Sequence, residues 1–271
     1  MAYYIKGSGK PLVMINGFRF TTASWDPALL AVLEKHYQLI VFDNRGSGLS
    51  SDTEKNETTM PQMADDVAGL IQALGLKKVH VLGWSMGSRI AQRLAIQHPQ
   101  LIDKLVLCAT DPGGGYAVPM TEEVHKLTNL LKLTKEEQSY LIFPNTPQGR
   151  LAYAKHEERS KKAIEDGSIP TDLSTSTQTI ERQERARELW DQDKTTYEAI
   201  KNIQMPVLVT DGMEDLLNPP ENARMVACRI PFAWSAYFKF TGHAFLFQEY
   251  QRFADLVHLF LESENGAAEK Q

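Results

Sequence analysis

The sequence predicts an α/β fold, in which helices cover both faces of a mostly parallel sheet and a helical segment is inserted into the chain. Short, continuously apolar runs alternate with segments of helical spacing over residues 1–111, a pattern typical of parallel strands that are buried on both sides. The alternation stops over 112–194, where the chain is charged and helical, and resumes over 195–263. We therefore predict a core of 1–111 and 195–263, a helical cap of 112–194 and a disordered tail of 264–271.

Six runs are predicted as strands because they are short, apolar and rich in β-branched or aromatic side chains. They are residues 10–16, 37–43, 77–83, 102–110, 205–212 and 233–240. Apolar residues at helical spacing predict core helices over 24–37, 58–76, 219–230 and 245–262, and a further helix directly after Ser85. Asp26 followed by Pro27 is a start signal for the first of these. In the cap, Thr134 and Glu137 have the spacing of a capping box.

The composition excludes several classes of function. The 271 residues carry a net charge of −5, so no electrostatic attraction to nucleic acid or to anionic membranes follows. The chain has neither a signal-peptide pattern at its start nor an apolar run of membrane-spanning length, and we expect a cytoplasmic protein. Cys108 and Cys228 are predicted to be reduced and buried, and no cysteine or histidine spacing indicates a metal site. The sequence leaves the oligomeric state open, a homo-oligomer included.

The stretch Gly83-Trp84-Ser85-Met86-Gly87 lies where a predicted strand turns into a predicted helix. Gly-x-Ser-x-Gly in that context is a nucleophile elbow, which lifts the serine hydroxyl to the carboxyl edge of the sheet. The two glycines are needed because strand and helix approach closely around the serine. The Met86 amide opens the helix, where free N–H groups can hold a developing oxyanion. The pattern predicts Ser85 as a nucleophile.

A serine needs a base, and the base needs a group that orients it. Of the seven histidines, His243 differs from the others because it lies on a loop beside a glycine, directly after the last predicted strand. We predict His243 as the base. Asp215, on the loop after the preceding strand, is the predicted acid. The same stretch also offers Glu214 and Asp211, of which Asp211 is closer to the strand end and could simply stabilise the turn. Asp111, which ends the strand after the elbow, is the rival.

A second oxyanion donor is expected on the loop after the strand at 10–16. There Asn16 and Gly17 precede Phe18, whose amide is the predicted donor, although its ring could equally serve as a hydrophobic plug. On the loop that follows the strand at 37–43, Arg45 is expected to brace neighbouring loops through a carboxylate and to take no part in catalysis.

Taken in order, the motifs NGF, DNRGSGLS and GWSMG and the acid and GH loops resemble the α/β-hydrolase superfamily across about residues 1–263. The triad order of serine, aspartate, histidine is that of the superfamily. One departure is Asn16, where members usually carry a histidine. The resemblance implies an eight-stranded, mostly parallel sheet with the cap between strands six and seven. It also implies an acyl-enzyme mechanism that requires no metal or organic cofactor.

We interpret the protein as a serine hydrolase of a small, fairly apolar carboxylic ester or lactone. GWSMG resembles the elbow of small-ester hydrolases, whereas DNRGSGLS is more similar to loops of lactonases and of cofactor-free perhydrolases. Hydrolysis of a carbon–carbon bond in β-dicarbonyl compounds is an alternative that uses the same three side chains. A protein that binds a small molecule without turning it over is a second class. Trp84, beside the nucleophile, and cap residues such as Leu130, Tyr140, Phe143 and Trp190 could line the substrate pocket, although apolar cap residues at helical spacing more often pack in a core.

Overall fold

A computed structural model describes residues 1–53, 56–130, 132–169 and 173–264. Within these ranges one sheet is formed by β1 (Tyr3–Lys6), β2 (Lys10–Ile15), β3 (Tyr37–Phe42), β4 (Val79–Trp84), β5 (Ile102–Cys108), β6 (Val207–Gly212) and β7 (Ala233–Phe238). The strand order is β1-β3-β2-β4-β5-β6-β7. Strand β1 pairs with β3 in antiparallel fashion, and all the other neighbouring strands are parallel. The prediction of a mostly parallel sheet is confirmed.

The expectation of eight strands is wrong for the described residues, in which the sheet has seven. The number eight came from the resemblance and not from runs in this sequence. All six predicted runs form strands, and the seventh strand, Tyr3–Lys6, was not predicted. It is a short edge strand whose residues alternate between exposed and half-buried, so it lacks the continuous apolar run that marks the inner strands. Among the described residues, no strand pairs with the outer edges of β1 and β7.

The helices of the described ranges follow the predicted segments closely. They are α1 (Pro27–Leu33), α2 (Met60–Ala73), α3 (Met86–Gln97), α4 (Glu122–Thr128), α5 (Lys135–Ile142), α6 (Pro147–Glu165), α7 (Thr177–Gln192), α8 (Lys194–Ala199), α9 (Pro220–Arg229), α10 (Phe245–Gln248) and α11 (Tyr250–Glu262). Asp26 caps α1 by accepting from the Ala28 amide, and Thr134 and Glu137 form the predicted capping box. The single helix expected over 245–262 is wrong. It is broken at Glu249, whose φ of −111° and ψ of 38° are not helical.

The hydrophobic core forms one layer on each face of the sheet. Along β2, Val13 and Ile15 face a cluster that includes residues of α2 and α3. Leu12 and Met14 face the opposite cluster, which includes residues of α1 and α11. Because alternate side chains of a strand point to opposite faces, a strand buried on both sides must be apolar at every position. This explains the continuous apolar runs of the inner strands.

Along the chain, the helices α4, α5, α6 and α7 come after β5 and before β6. The insertion therefore follows the fifth strand in chain order and not the sixth. An ion cluster joins one of them to the core. The side chain of Asp26, which is fully buried, accepts from Arg159 Nε at 3.1 Å and lies 2.7 Å from His156 Nδ1. The division into a core and a cap at residues 112–194 stays a prediction. The predicted tail, from residue 265 onward, lies outside the described residues.

Both cysteines are free thiols, but only one of them is buried. Burial raises the pKa of the Cys108 thiol to about 12. The expectation of a buried thiol is wrong for Cys228, because its position on α9 faces solvent. In the part of the chain that the structure describes, no helix has both the length and the apolar character needed to cross a membrane.

Candidate active site

Ser85 occupies the sharp turn between β4 and α3, as the motif predicts. Its φ of 58° and ψ of −125° lie outside the regions that residues with side chains ordinarily adopt. Its amide donates to the Cys108 carbonyl at 2.9 Å, which continues the ladder between β4 and β5 through the turn. Strain of this kind costs on the order of 1–3 kcal/mol and persists only where the surrounding structure holds it. The turn places the hydroxyl at the carboxyl edge of the sheet.

The two glycines of the motif are required by close backbone contacts. A Cβ added at Gly83 would lie 2.3 Å from the Gly87 carbonyl oxygen. A Cβ added at Gly87 would lie 2.1 Å from the carbonyl oxygen of Ile15 on the neighbouring strand β2. Both distances are far below van der Waals contact, and the atoms met belong to backbone that cannot rotate away. The turn around Ser85 therefore excludes any side chain at either position.

His243 and Asp215 form a buried pair beside this turn. His243 Nδ1 lies 2.7 Å from Asp215 Oδ2. The other carboxylate oxygen, Oδ1, accepts from the amides of Leu217 at 2.8 Å and Asn218 at 2.9 Å. The Trp84 indole donates to the His243 carbonyl at 3.0 Å and so ties the histidine loop to the residue before Ser85. The carboxylate is thus fixed from two sides and holds the imidazole in one orientation.

Ser85 and His243 line the same cavity. Among the hydrogen bonds of the described residues, none joins the Ser85 hydroxyl to the imidazole, whose Nδ1 is already engaged with Asp215. Catalytic hydrogen bonds are commonly long in ligand-free enzymes and tighten when substrate binds. The arrangement leaves Nε2 as the ring atom available to the hydroxyl.

Both candidate oxyanion donors lie at this cavity. Met86 is the first residue of α3, so its amide has no acceptor within the helix. Phe18 follows Gly17 on the loop after β2, and this loop contacts the elbow directly: a Cβ at Gly17 would lie 3.1 Å from Ser85 Cβ. Among the described hydrogen bonds, neither the Phe18 amide nor the Met86 amide is a donor. The two amides are therefore free to bind a substrate oxygen.

The rival acid Asp111 has different partners. It lies 2.7 Å from Arg89 Nε, accepts from the Trp190 indole at 2.6 Å and from the Gly113 amide at 2.9 Å. None of these groups is a histidine. The structure therefore pairs His243 with Asp215 and uses Asp111 to hold an arginine.

Asp211 accepts from the Gly212 amide at 2.8 Å, which fits a role in the turn, but its other oxygen is buried without a partner. Burial raises the pKa of Asp211 well above its ordinary value, and the neighbouring charge of Asp215 adds to this effect. Of the two carboxyl groups, Asp215 and not Asp211 faces the histidine.

Two further aspartate–histidine pairs have the same short contact. His156 Nδ1 lies 2.7 Å from Asp26 Oδ2, and His98 Nε2 lies 2.7 Å from Asp65 Oδ1. None of these four residues lines the cavity of Ser85. An aspartate–histidine contact is therefore not sufficient to identify a catalytic base, and its place beside the elbow distinguishes His243.

Two other expectations concern the loops around the site. Arg45 donates to both oxygens of Asp66, at 2.6 and 2.7 Å, which agrees with its expected bracing role. The side chain of Asn16, which replaces the usual histidine, donates to the Phe42 carbonyl at 3.4 Å. The backbone carbonyl of Asn16 accepts from the Asn44 side chain at 3.1 Å. It therefore still links the loops that follow β2 and β3.

The cavity has a volume of about 90 Å³. Most of the residues in its wall are apolar, but none of the five aromatic and aliphatic candidates lines it. Trp84, Phe143 and Trp190 are buried in the packing instead, and Leu130 is exposed. The residues that line it are Phe18, Phe20, Ser85, Met86, Arg89, Ala109, Met120, Thr128, Ile142, Arg187, Leu217, Asn218 and His243.

Two charged residues in this wall, Arg89 and Arg187, were not predicted from the sequence. A signal existed for Arg89, because it lies four positions after Ser85 on α3, about one helical turn away on the same side. No such signal existed for Arg187, which belongs to α7 in the insertion. Within the run of alternating charges on α7 it is indistinguishable from solvent-exposed arginines.

Known proteins that resemble this chain share its fold. The family model described as alpha/beta hydrolase fold matches residues 10–249. A solved structure, an alpha/beta hydrolase fold protein from Chitinophaga pinensis, has a TM-score of 0.83 at 27% identity and covers 96% of this chain and 93% of its own. A relative from Agrobacterium fabrum, named putative carbamate hydrolase RutD, is 27% identical over 86% of this chain and 85% of its own length. Another, from Mycobacterium tuberculosis and named putative non-heme bromoperoxidase BpoC, is 29% identical over 92% of each chain.

Proposed function

The chain belongs to the alpha/beta hydrolase fold family, and from that premise we propose that it is a serine hydrolase that cleaves a small carboxylic ester or lactone through an acyl-enzyme intermediate. One observation carries the proposal. A serine held in a strained turn and a buried histidine, whose Nδ1 lies 2.7 Å from a fixed carboxylate, line one cavity. Acyl transfer requires a nucleophile, a base that takes its proton and an acid that orients the base.

In the proposed first step, the Ser85 hydroxyl attacks the acyl carbon and His243 Nε2 takes its proton. Asp215 keeps the Nδ1 proton in place and stabilises the imidazolium that forms. The amides of Phe18 and Met86 hold the negative charge of the tetrahedral intermediate, and each such donor is worth roughly 3–4 kcal/mol of barrier. The imidazolium then protonates the departing alcohol. Water activated by the same histidine releases the acid, and no step needs a metal or organic cofactor.

The proposal is tested by active-site labelling and by turnover. A fluorophosphonate probe should label the wild type with one equivalent and leave Ser85→Ala unlabelled. On a short-chain nitrophenyl ester, Ser85→Ala should lose at least roughly 10³-fold in kcat. A wild type that is folded but neither labelled nor active would instead favour a protein that binds a small molecule without turnover.

The kind of bond cleaved is tested with a panel of substrates. The name of one relative favours including a carbamate beside simple esters and lactones. The resemblance of DNRGSGLS to loops of cofactor-free perhydrolases favours an assay with acetate and hydrogen peroxide. A β-dicarbonyl compound tests carbon–carbon cleavage by the same three side chains. We expect kcat/KM to be largest for an ester or lactone. A larger value for any other member of the panel would replace the ester assignment while leaving the nucleophile unchanged.

A further inference from the structure

Two arginines line the cavity that contains Ser85 and His243. Arg89 lies on α3, one turn beyond the nucleophile, and Arg187 lies on α7 in the insertion. Only 14% of the Arg89 side chain and 15% of the Arg187 side chain are exposed. Burying two like charges against one small cavity is unfavourable unless something of opposite charge compensates for it.

The protein's own carboxylates engage only part of each guanidinium. Arg89 Nε lies 2.7 Å from Asp111 Oδ2, while its Nη1 is buried without a hydrogen-bond partner. Arg187 Nη1 donates to Glu184 Oε2 at 3.0 Å, and among the described hydrogen bonds its Nε and Nη2 donate to nothing. Asp111 and Glu184 do not line the cavity. The acids therefore engage one part of each guanidinium, and other donors of both side chains have no acceptor among the described hydrogen bonds.

Arg187 is also placed close to where an acyl group would bind. Its guanidinium carbon lies 4.6 Å from the centre of the Phe18 ring. The backbone amide of Phe18 is a candidate oxyanion donor. Arg19 lies 4.7 Å from the same ring but donates to the carbonyls of Thr128 and Leu130 and does not line the cavity. Arg89 and Arg187 are thus the two arginines among the residues that line the cavity.

The electrostatic effect of the pair is visible in Arg187. Burial, and after it the positive charge of Arg89, lower the pKa of the Arg187 guanidinium, although the negative charges of Glu184, Asp191 and Asp111 act in the opposite direction. Arginine nevertheless stays charged in proteins, so the repulsion between the two guanidiniums persists. A bound anion between the two guanidiniums would relieve it. Planar carboxylates fit this arrangement because guanidinium forks donate two parallel hydrogen bonds to them.

We propose that Arg89 and Arg187 bind a free carboxylate of the substrate, so that the preferred substrates are short esters that carry one, such as monoesters of small dicarboxylic acids. The inference rests on the proposed function and makes its substrate class more specific. The cavity is small, at about 90 Å³, and so favours short substrates. Hydrolysis would release a dicarboxylate and an alcohol.

The test compares charged and neutral esters of equal length. The monomethyl esters of malonate, succinate and glutarate are assayed beside the methyl esters of butanoate, pentanoate and hexanoate, and the ratio of kcat/KM is taken for each matched pair. Hydrogen bonds to a charged group should favour the best anionic ester by about 10-fold or more. Arg187→Met should bring that ratio to about one, and Arg187→Lys should leave it in between, since lysine keeps the charge but loses the fork.

Arg185→Met is the matched control on the same helix. Arg185 pairs with Glu188 three positions on, much as Arg187 pairs with Glu184 three positions before it, but it is exposed and does not line the cavity. Its ratio should equal that of the wild type. A neutral preference in the wild type, or a ratio that Arg187→Met leaves unchanged, would overturn the inference while ester hydrolysis itself still stands.

A binding measurement separates this inference from the proposed function. Ser85→Ala protein is titrated calorimetrically with monomethyl succinate and with methyl pentanoate, with and without Arg187→Met. Tighter binding of the charged ester that Arg187→Met abolishes supports the carboxylate site, even if no ester is turned over. Equal binding of the two esters contradicts it.

Discussion

Replacing Asp215 by asparagine should abolish most turnover and leave the fold intact. The amide oxygen can still accept from the Leu217 and Asn218 amides, which donate to one carboxylate oxygen at 2.8 and 2.9 Å. The amide nitrogen then occupies the place of the oxygen that lies 2.7 Å from His243 Nδ1. Because that nitrogen is a donor, Nδ1 must become the acceptor and the ring proton moves to Nε2. The imidazole can then no longer accept the proton of Ser85.

The expected loss is the one that this change of tautomer causes in a triad, about 10³–10⁴-fold in kcat. At 1.36 kcal/mol for each factor of ten, this corresponds to about 4–5.5 kcal/mol of barrier. The assay is kcat on a neutral short-chain nitrophenyl ester, with circular dichroism to show that the variant is folded. Raising the pH should not restore activity, because the fault lies in the position of a proton and not in its affinity.

Asp26→Asn is the matched control for the chemistry of the substitution. Asp26 is also a buried aspartate 2.7 Å from a histidine Nδ1, that of His156, but neither residue lines the cavity. Burial would raise the pKa of Asp26, yet hydrogen bonds from His156 and Arg159 outweigh it and hold the pKa below its ordinary value. Asparagine still caps α1, so the variant should lose only the ion-pair stability, which the wild type also loses as the pH falls through that lowered pKa.

Below its melting temperature Asp26→Asn should keep kcat within about tenfold of the wild type. Comparable losses of kcat in Asp26→Asn and Asp215→Asn would refute the argument, since buried aspartate–histidine pairs would then matter only for folding. Asp111→Asn tests the rival acid on the same neutral ester and should also stay within about tenfold. If Asp111→Asn abolishes turnover and Asp215→Asn does not, the acid has been assigned wrongly.

Three further outcomes are expected. Gly87→Ala should lower Tm and activity together, because its Cβ would lie 2.1 Å from a backbone oxygen. Gly69→Ala in α2 should raise Tm, because its Cβ meets nothing within 4 Å; equal shifts of Tm in the two variants would contradict the close contact at Gly87. Burial lowers the pKa of His80, so stability should fall as the pH drops below about 6.5, and His80→Leu should flatten the dependence of Tm on pH between 7 and 5; parallel curves would contradict this. Burial raises the pKa of Asp211, so above the ordinary pKa of the group its ionisation opposes folding. Asp211→Asn should therefore raise Tm at pH 7 but not at pH 4, and a lower Tm at pH 7 would contradict this.

Features that are fixed by residues close together in the chain could be predicted from the sequence. The inner strands were identifiable because a strand buried on both faces must be apolar throughout, and the elbow because Gly83 and Gly87 are needed within one turn of Ser85. The short edge strand Tyr3–Lys6 was missed, since an edge strand that is half exposed has no such constraint. The break at Glu249 was missed because its flanking residues continue a helical pattern.

The sequence by itself determined the class of fold, the six apolar strands and the glycine turn that presents Ser85, since each follows from the periodicity of side chains or from backbone geometry within a few residues. Only the tertiary structure decided which aspartate faces which histidine, because Asp215–His243 and Asp26–His156 are equally good pairs until the loops are placed around Ser85. It also brought Arg89 and Arg187 to one cavity from distant helices. Electrostatic contacts act through space and leave no period in the chain, so their partners become apparent only once the chain is folded.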